Sequence, residues 1–312
     1  MNKCLIPLIL ILCSSVVAAT PKTEAKQFSW TLGNDPEFDA SVAQPAFSSG
    51  KGPSILIDTG HHNFLPYYQF LHPFAALAEA DGYRVEFNNQ TFSSDYLSSF
   101  DIVLIATALP FEFTTQLEVT DKPTFTNAEI DSVVDWVSAG GALLVFSEHA
   151  PFDQAIIPLL ARFNIESSVG YTIDPENAEE DASAGWIVYS SDNELLNANH
   201  PIVAGRSAQE RVDRVMTYGG SALTGPDYEN VLALSASATN SEHPTGVGPV
   251  GHGNSQALAG EFGAGKVLAF GDSNGFSAML FKQVDTVRAA GMSDPRYQWK
   301  QFVLNALHWL AE

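Results

Sequence analysis

The chain has 312 residues, and its 36 Asp and Glu residues outnumber its 15 Lys and Arg residues to give a formal net charge of −21. Its hydrophobic fraction of 45%, together with a charged fraction of only 16%, excludes an intrinsically disordered protein. A surface this acidic repels phosphate groups and anionic lipids, so we expect no nucleic-acid partner and instead a neutral or cationic small molecule.

The N-terminus has the pattern of a secretory signal peptide over residues 1–19. A short positive start leads into an apolar run at 5–12, and small residues precede a cleavage site after Ala19. A lipoprotein signal anchored at Cys13 is the alternative, but it needs a small residue where Leu12 stands. We therefore expect a secreted or periplasmic protein. No later apolar run reaches the roughly 18 residues of a membrane span, so no membrane insertion is expected after signal cleavage.

The only two cysteines, Cys4 and Cys13, belong to this predicted signal peptide. The mature chain is therefore expected to have no disulfide, no thiolate metal ligand and no cysteine nucleophile.

Beyond the signal, the pattern predicts an arm followed by a single α/β domain. Residues 20–52 are polar and without sustained periodicity, so they predict a linker or an arm over the surface of a domain at 53–312. Continuous Val, Ile and Leu runs alternate with amphipathic segments, which is typical of a mainly parallel sheet covered by helices on both faces. The segment 165–200 is acidic and irregular, and we interpret it as an insertion.

The predicted elements, in chain order, are a strand at 54–58, a helix at 74–80, strands at 83–87 and 101–106, a helix between Thr126 and Gly140, a strand at 142–146, a helix at 154–163, apolar runs at 215–218 and 231–234, a strand at 266–270, a short helix near 275–290 and a final helix at 297–310.

The loop after the first predicted strand is polar and carries Asp58, His61, His62 and Asn63. Ligands of open parallel sheets bind beyond the carboxyl ends of the strands, so one imidazole is a candidate general base or metal ligand. Neighbouring residues in an extended chain face opposite sides, so at most one of the two histidines is expected in a site. The alternative is that Asp58 and Asn63 cap the loop and that the histidines bind backbone groups.

The loop after the strand at 142–146 carries Ser147, Glu148 and His149. A serine nucleophile needs a sharp turn with small neighbours, but Phe146 and Glu148 flank Ser147. Glu148 and His149 are therefore the candidates for acid–base chemistry or ligand binding. The alternative is a structural pair in which the carboxylate holds the histidine in place.

The loop after the strand at 266–270 carries Asp272 and Asn274. Asp272 is predicted to orient a histidine from another loop, as in catalytic triads, although a simple helix cap is the alternative. Because both loops end strands of one parallel sheet, we expect His149 and Asp272 in one site, with His61 or His62 beside them. In the opposite case, each histidine is held by its own loop and the carboxylates face solvent.

A divalent metal ion is a possible cofactor of this predicted site. Ligands drawn from His61 or His62, from His149, and from Glu148 or Asp272 suit Zn²⁺ or a similar ion. The sequence has no H-x-x-x-H, H-E-x-x-H or C-x-x-C spacing, so the choice between a metal and no cofactor stays open.

Several motifs occur together along the chain, namely IDTGHHNF at 57–64, FTNAEI at 125–130, WVSAGG at 136–141, EHAPF at 148–152, HPIVAGR at 200–206 with ER at 210–211, GDSNGFSA at 271–278 and QFVLN at 301–305. With this combination, residues 53–312 resemble a group of exported bacterial proteins, a domain of unknown function in the class I glutamine amidotransferase-like superfamily. The resemblance implies a flavodoxin-like, doubly wound fold. The amidotransferases of the superfamily carry a cysteine after a central strand, where this chain has Ser147-Glu148-His149, so a cysteine-dependent glutaminase is excluded.

The leading functional hypothesis is an exported hydrolase of a small molecule or glycan. The catalytic candidates, through acid–base work or a bound ion, are His61, His62, Glu148, His149 and Asp272. The substrate-binding candidates are Asp58, Asn63, Arg206, Arg211 and Asn274, of which the arginines suit an anionic substrate group. The alternative hypothesis is a non-catalytic ligand-binding or scaffolding domain of the same fold.

Overall fold

The structure, a computed structural model, describes residues 31–67, 69–112, 123–149, 152–180, 182–241, 253–282 and 285–312. The predicted signal peptide lies outside the described residues, as does the first part of the predicted arm.

The helices are α1 (Phe64–Tyr67), α2 (His72–Ala80), α3 (Ser94–Leu97), α4 (Asn127–Ser138), α5 (Phe152–Arg162), α6 (Pro201–Ala204) and α7 (Trp299–Ala311), with a 3₁₀ helix at Asn274–Phe276. The strands are β1 (Thr31–Asn34), β2 (Ser54–Asp58), β3 (Arg84–Asn88), β4 (Ile102–Ala106), β5 (Ala142–Phe146), β6 (Glu166–Ser167), β7 (Tyr171–Ile173), β8 (Val188–Ser190), β9 (Arg214–Met216), β10 (Leu223–Thr224), β11 (Glu229–Ala233), β12 (Thr239–Ser241), β13 (Ser255–Phe262), β14 (Gly265–Phe270), β15 (Ala278–Lys282) and β16 (Val287–Gly291). None of the helices in the described ranges is both long and apolar enough to cross a membrane.

The central sheet is parallel over the strands that the sequence predicted. Its order is β3-β2-β4-β5-β14-β13-β10-β6, with β11 also paired to β13. The first five strands of this order run parallel, and counted along the chain they follow the order 2-1-3-4-5. This is the flavodoxin-like, doubly wound order, so the fold expected from the resemblance to class I glutamine amidotransferase-like proteins is confirmed.

Alternation along the buried strands divides the core into two layers. Ile55 and Ile57 of β2 face the layer that contains α2 and α7, whereas Leu56 faces the layer that contains α4 and α5. Both faces of the strands are therefore covered, which explains why β4 and β5 are apolar at every position. Covered strands present their polar loops only at their ends, and the carboxyl end is where the candidate residues lie.

Three sequence predictions differ from the structure in this part of the fold. The short helix predicted near 275–290 is wrong, since only Asn274–Phe276 is helical and β15 and β16 then form a hairpin. The predicted arm is partly ordered into a strand, because β1 pairs with β15. The segment 165–200 contains strands β6, β7 and β8 and is not irregular throughout.

Candidate functional site

Three neighbouring strands of the sheet, β2, β4 and β5, are followed by non-glycine residues with left-handed backbone angles. The φ values are 47° at His62, 59° at Thr107 and 56° at Glu148. A side chain in this region costs on the order of 1–3 kcal/mol, and such strain concentrates at active sites and ligand clamps. The carboxyl edge is therefore the part of the sheet where the backbone is held in an unfavourable shape.

Glu148 joins the loop after β5 to the loop after β14. Its Oε1 accepts hydrogen bonds from the backbone N–H of Ser273 at 2.9 Å and from the Ser273 hydroxyl at 2.5 Å, and Asn274 Nδ2 lies 3.4 Å away. The side chain of Glu148 is buried. The left-handed turn thus aims a buried carboxylate across the sheet edge at the Asp272 loop.

His149 is partly exposed, with 18% of its side chain accessible to solvent. Its ring lies against the ring of Tyr171, with centroids 4.6 Å apart, and 6.1 Å from the ring of Phe152. Its Nε2 is 3.7 Å from Glu148 Oε2, and its backbone N–H donates to the same oxygen at 3.2 Å. The imidazole is therefore held between an aromatic ring and a carboxylate.

Asp272 lies fully inside the same edge. Its Oδ2 accepts a hydrogen bond from the backbone N–H of Tyr218 at 2.7 Å, and its Oδ1 accepts one from the backbone N–H of Asn274 at 2.8 Å. Burial, and then the charge on Glu148, raise the pKa of Asp272 well above its usual value. Asp272 and His149 thus both interact electrostatically with Glu148.

Asp153 is a member of the site that sequence reasoning missed. Its carboxylate accepts hydrogen bonds from the backbone N–H groups of Gln154 at 2.7 Å and Gly170 at 3.3 Å. Burial raises the pKa of Asp153 to about 7, with the charge of Glu148 adding to the effect and the hydrogen bonds opposing it. Its position in the first turn of α5, four residues after His149, is the sequence signal that could have identified it.

Tyr171 completes the arrangement and was also missed. Burial raises the pKa of its hydroxyl, and the charges of Glu148, Asp153 and Asp272 raise it further. We call Glu148, His149, Asp153, Tyr171 and Asp272 the Glu148 cluster. Burial of this region and the charge of Glu148 raise the pKa of both Asp153 and Asp272, which favours their protonated forms.

His61 belongs to a separate, fully paired cluster. Its Nδ1 is 2.8 Å from Asp58 Oδ2 and its Nε2 is 3.0 Å from Glu129 Oε1, while the rings of Phe92 and Phe125 lie 4.8 and 4.4 Å away. Burial lowers the pKa of His61, but the hydrogen bonds and charges of the two carboxylates outweigh burial and raise it. We call Asp58, His61 and Glu129 the His61 cluster. Both ring nitrogens of His61 are bound to carboxylates of this cluster, Asp58 and Glu129. His61 therefore has no ring nitrogen left to bind a group of the Glu148 cluster.

The remaining residues of the loop after β2 shape the backbone. Asn63 Nδ2 donates to Asp58 Oδ2 at 2.6 Å, and Asn63 Oδ1 accepts from the backbone N–H of Ala106 at 3.0 Å. Asp58 Oδ1 accepts from the backbone N–H of Gly60 at 2.9 Å. These hydrogen bonds match the alternative in which Asp58 and Asn63 cap the loop after the first predicted strand. His62, by contrast, is exposed.

An apolar cluster lies between the two polar ones. It consists of Phe64, Leu109, Phe111 and Phe152, and we call it the Phe152 cluster. The rings of Phe64 and Phe152 are 5.6 Å apart, and Phe152 is the ring that also approaches His149.

The two candidate arginines are paired with carboxylates outside the Glu148 cluster. Arg206 binds Glu210, with its Nη2 2.5 Å from Oε1, and it lies beside Asp81, which precedes β3 at the amino edge of the sheet. Arg211 binds Asp213 at 3.0 Å. Each guanidinium is therefore engaged by a carboxylate from its own segment, and neither contacts the Glu148 cluster.

A metal site was left open by the sequence. In the ranges that the structure describes, no set of three or more His, Cys, Asp and Glu side chains is placed to hold a metal ion.

No family model matches the chain, and no curated protein matches it. Solved structures do match. The mmIFT52 N-terminal domain has a TM-score of 0.57 and 14% identity, covering 83% of this chain and 97% of that chain. A protein described as ThuA-like from Bacteroides uniformis has a TM-score of 0.44 and 13% identity, with coverages of 85% and 94%. Another from Parabacteroides merdae has a TM-score of 0.44 and 14% identity, with coverages of 84% and 90%. At these identities the likeness concerns the fold alone.

Proposed function

We propose that the protein is a hydrolase of an uncharged small molecule and that the Glu148 cluster is its active site. The observation that carries this proposal is the left-handed turn at Glu148, directly after β5, which places a carboxylate beside a partly exposed histidine. Strain of this kind costs stability and is concentrated at active sites and ligand clamps, which supports a functional role for the turn.

The chemistry follows from the different exposure of the groups. His149 reaches solvent and takes a proton from the attacking water, and it returns the proton to the leaving group. Glu148 faces the imidazole and stabilises its charged form as the proton is taken. Asp272 and Asp153 are buried, and their hydrogen bonds fix the backbone at Tyr218 and Asn274 and at Gly170, next to Tyr171. The neighbouring carboxylates disfavour an anionic substrate.

The alternative function is a ligand-binding domain without catalysis. One observation favours it: Glu148, Asp153 and Asp272 are all buried, so only His149 and its neighbours would touch a ligand. In that case the protein would hold a molecule against His149 and Tyr171 without changing it.

A panel of ester, phosphoester and glycoside substrates, run with and without a chelator, separates the two functions. We expect turnover of at least one uncharged substrate that persists in the chelator. Turnover that stops with the chelator and returns with Zn²⁺ would assign a metal-dependent reaction instead. Binding of a substrate without turnover of any would support the ligand-binding alternative.

We also propose that the chain is exported, on the strength of the pattern at residues 1–19. Mass spectrometry of protein recovered from periplasm or medium should give a mature chain that begins at Thr20. An uncleaved cytoplasmic product would contradict export.

A further inference from the structure

The polar groups of the Glu148 cluster have few hydrogen bonds left for a ligand. Asp272 is occupied by the backbone N–H groups of Tyr218 and Asn274, and Glu148 Oε1 is occupied by Ser273. Asp153 is likewise bound to two backbone N–H groups. A sugar needs several side chains that exchange hydrogen bonds with its hydroxyls, and here these three carboxyls already accept hydrogen bonds from the protein itself.

The wall next to His149 is apolar. Phe152 approaches the imidazole, Phe64 lies against Phe152, and Leu109 and Phe111 complete the Phe152 cluster. Phe64 and Phe111 are only half-buried. A substrate that reaches His149 along this wall would gain free energy by covering apolar side chains and not by forming hydrogen bonds.

The acidic groups around Tyr171 disfavour an anionic substrate. The groups whose charge raises the pKa of Tyr171 are Glu148, Asp153 and Asp272, all of them carboxyls. A phosphoester or a carboxylate-bearing substrate would add negative charge to a region where burial and neighbouring carboxyls already disfavour it. An uncharged substrate with an apolar group meets neither obstacle.

We infer that the substrate is a carboxylic ester with a short, uncharged, apolar acyl group, which lies against the Phe152 cluster. This inference rests on the proposed hydrolase function of the same site. The oxygen of water bonds to the ester carbonyl carbon while His149 takes the water proton. The bond from that carbon to the alkoxide oxygen then breaks, and the proton passes to the alkoxide, giving one carboxylic acid and one alcohol.

The test uses the 4-nitrophenyl esters of acetate and butyrate. A 4-nitrophenyl glycoside and 4-nitrophenyl phosphate are assayed separately as alternative substrates. For the native chain, kcat/KM should rise roughly tenfold from acetate to butyrate, since two further methylene groups are removed from water. Phe111→Ala should lower kcat/KM for the butyrate ester more than for the acetate ester, so that the ratio between the two falls towards one. Phe87→Ala is the matched control, because Phe87 lies 38% exposed on β3, away from the Phe152 cluster.

The outcomes separate the substrate class from the function. Equal rates on acetate and butyrate, a preference unchanged by Phe111→Ala, or faster turnover of the glycoside or phosphate would overturn the ester inference. If turnover of an uncharged member of the series, the esters or the glycoside, still depends on His149, the hydrolase proposal survives. Ester hydrolysis that is unaffected by His149→Ala, or no hydrolysis of any member of the series, would overturn both.

Discussion

Asp153 shows how a single buried acid sets the pH dependence of stability. Its carboxyl is fully buried and its pKa is about 7, against 3.8 for the free group. As the pH rises above about 4, the unfolded chain loses this proton before the folded chain does. The group therefore lowers stability progressively between about pH 4 and pH 7, and its effect is constant above that window.

Asp153→Asn should flatten the pH dependence across this window, because the amide does not titrate. A shift of about 3 pKa units corresponds to on the order of 4 kcal/mol, which is an upper value for the change in the free energy of unfolding between pH 4 and pH 8. Urea unfolding at pH 5, 6, 7 and 8 measures it. Asp135→Asn, at an exposed position of α4, is the control and should leave the slope unchanged. A native slope that persists in Asp153→Asn would assign the pH dependence to another group.

The candidate residues could be predicted from the sequence where they follow a strand whose end the sequence shows. Glu148, His149 and Asp272 each follow a recognisable apolar strand, and the carboxyl-edge rule then places them together. Asp153 and Tyr171 could not be assigned in the same way, since one begins a helix and the other follows no predicted strand. Arg206 and Arg211 were selected by charge alone, and charge does not say which carboxylate a guanidinium will bind.

At the scale of single elements, the N-terminus of α4 is determined by residues that the sequence shows. Thr126 Oγ1 accepts a hydrogen bond from the backbone N–H of Glu129 at 3.2 Å, and Glu129 Oε2 accepts one from the backbone N–H of Thr126 at 2.9 Å. This reciprocal pair is a capping box. Glu129 also binds His61, so the cap and the His61 cluster share one carboxylate.

Thr126→Ala should therefore cost about 1–2 kcal/mol of unfolding free energy, the upper part of the usual range for a cap, because the freed carboxylate also positions His61. Chemical denaturation at pH 7 measures the loss. Ser93→Ala removes the cap of the four-residue helix α3, where Ser93 Oγ accepts from Tyr96 N at 3.3 Å, and it should cost less. Equal losses in the two variants would show that Glu129 does not couple the cap to the His61 cluster.

Elements with a strong local pattern were predictable, and elements defined by their partners were not. The strands β2, β4, β5 and β14 are continuous apolar runs, so they were recognised as covered strands. By contrast, β13 begins with the buried polar pair Ser255 and Gln256 and contains Gly260, which weakens any strand signal. The hairpin β15–β16 depends on pairing with β1, which is distant in the sequence.

At the scale of the whole molecule, the described part of the N-terminal arm crosses the amino edge of the sheet and is fixed there. Asp81 Oδ1 accepts a hydrogen bond from the backbone N–H of Ala46 at 2.7 Å, and Asp81 Oδ2 is 2.7 Å from His308 Nε2. The ring of Phe47 meets the ring of Tyr83 edge-on at 5.1 Å. One buried carboxylate thus joins the arm to the last helix.

Asp81→Asn should loosen this connection. The amide keeps an acceptor for Ala46 but loses the charged partner of His308, and breaking a buried hydrogen bond of this kind costs about 1–3 kcal/mol. Limited proteolysis should cut the arm between residues 35 and 50 faster than in the native chain. Asp192→Asn, at an exposed position, serves as the control. An unchanged cleavage rate in Asp81→Asn would show that β1 alone retains the arm.

Catalysis by the Glu148 cluster is tested most directly by kcat/KM for His149→Ala on the best uncharged substrate, measured beside the thermal midpoint of the same protein. His149 lies partly in solvent, so its removal should leave the midpoint within about 2 °C while kcat/KM falls by roughly 10²–10⁴-fold. His72→Ala, an exposed histidine on α2, should change neither quantity. Activity in His149→Ala that stays within about twofold of the native value, with the fold intact, would contradict the assignment of this site as catalytic.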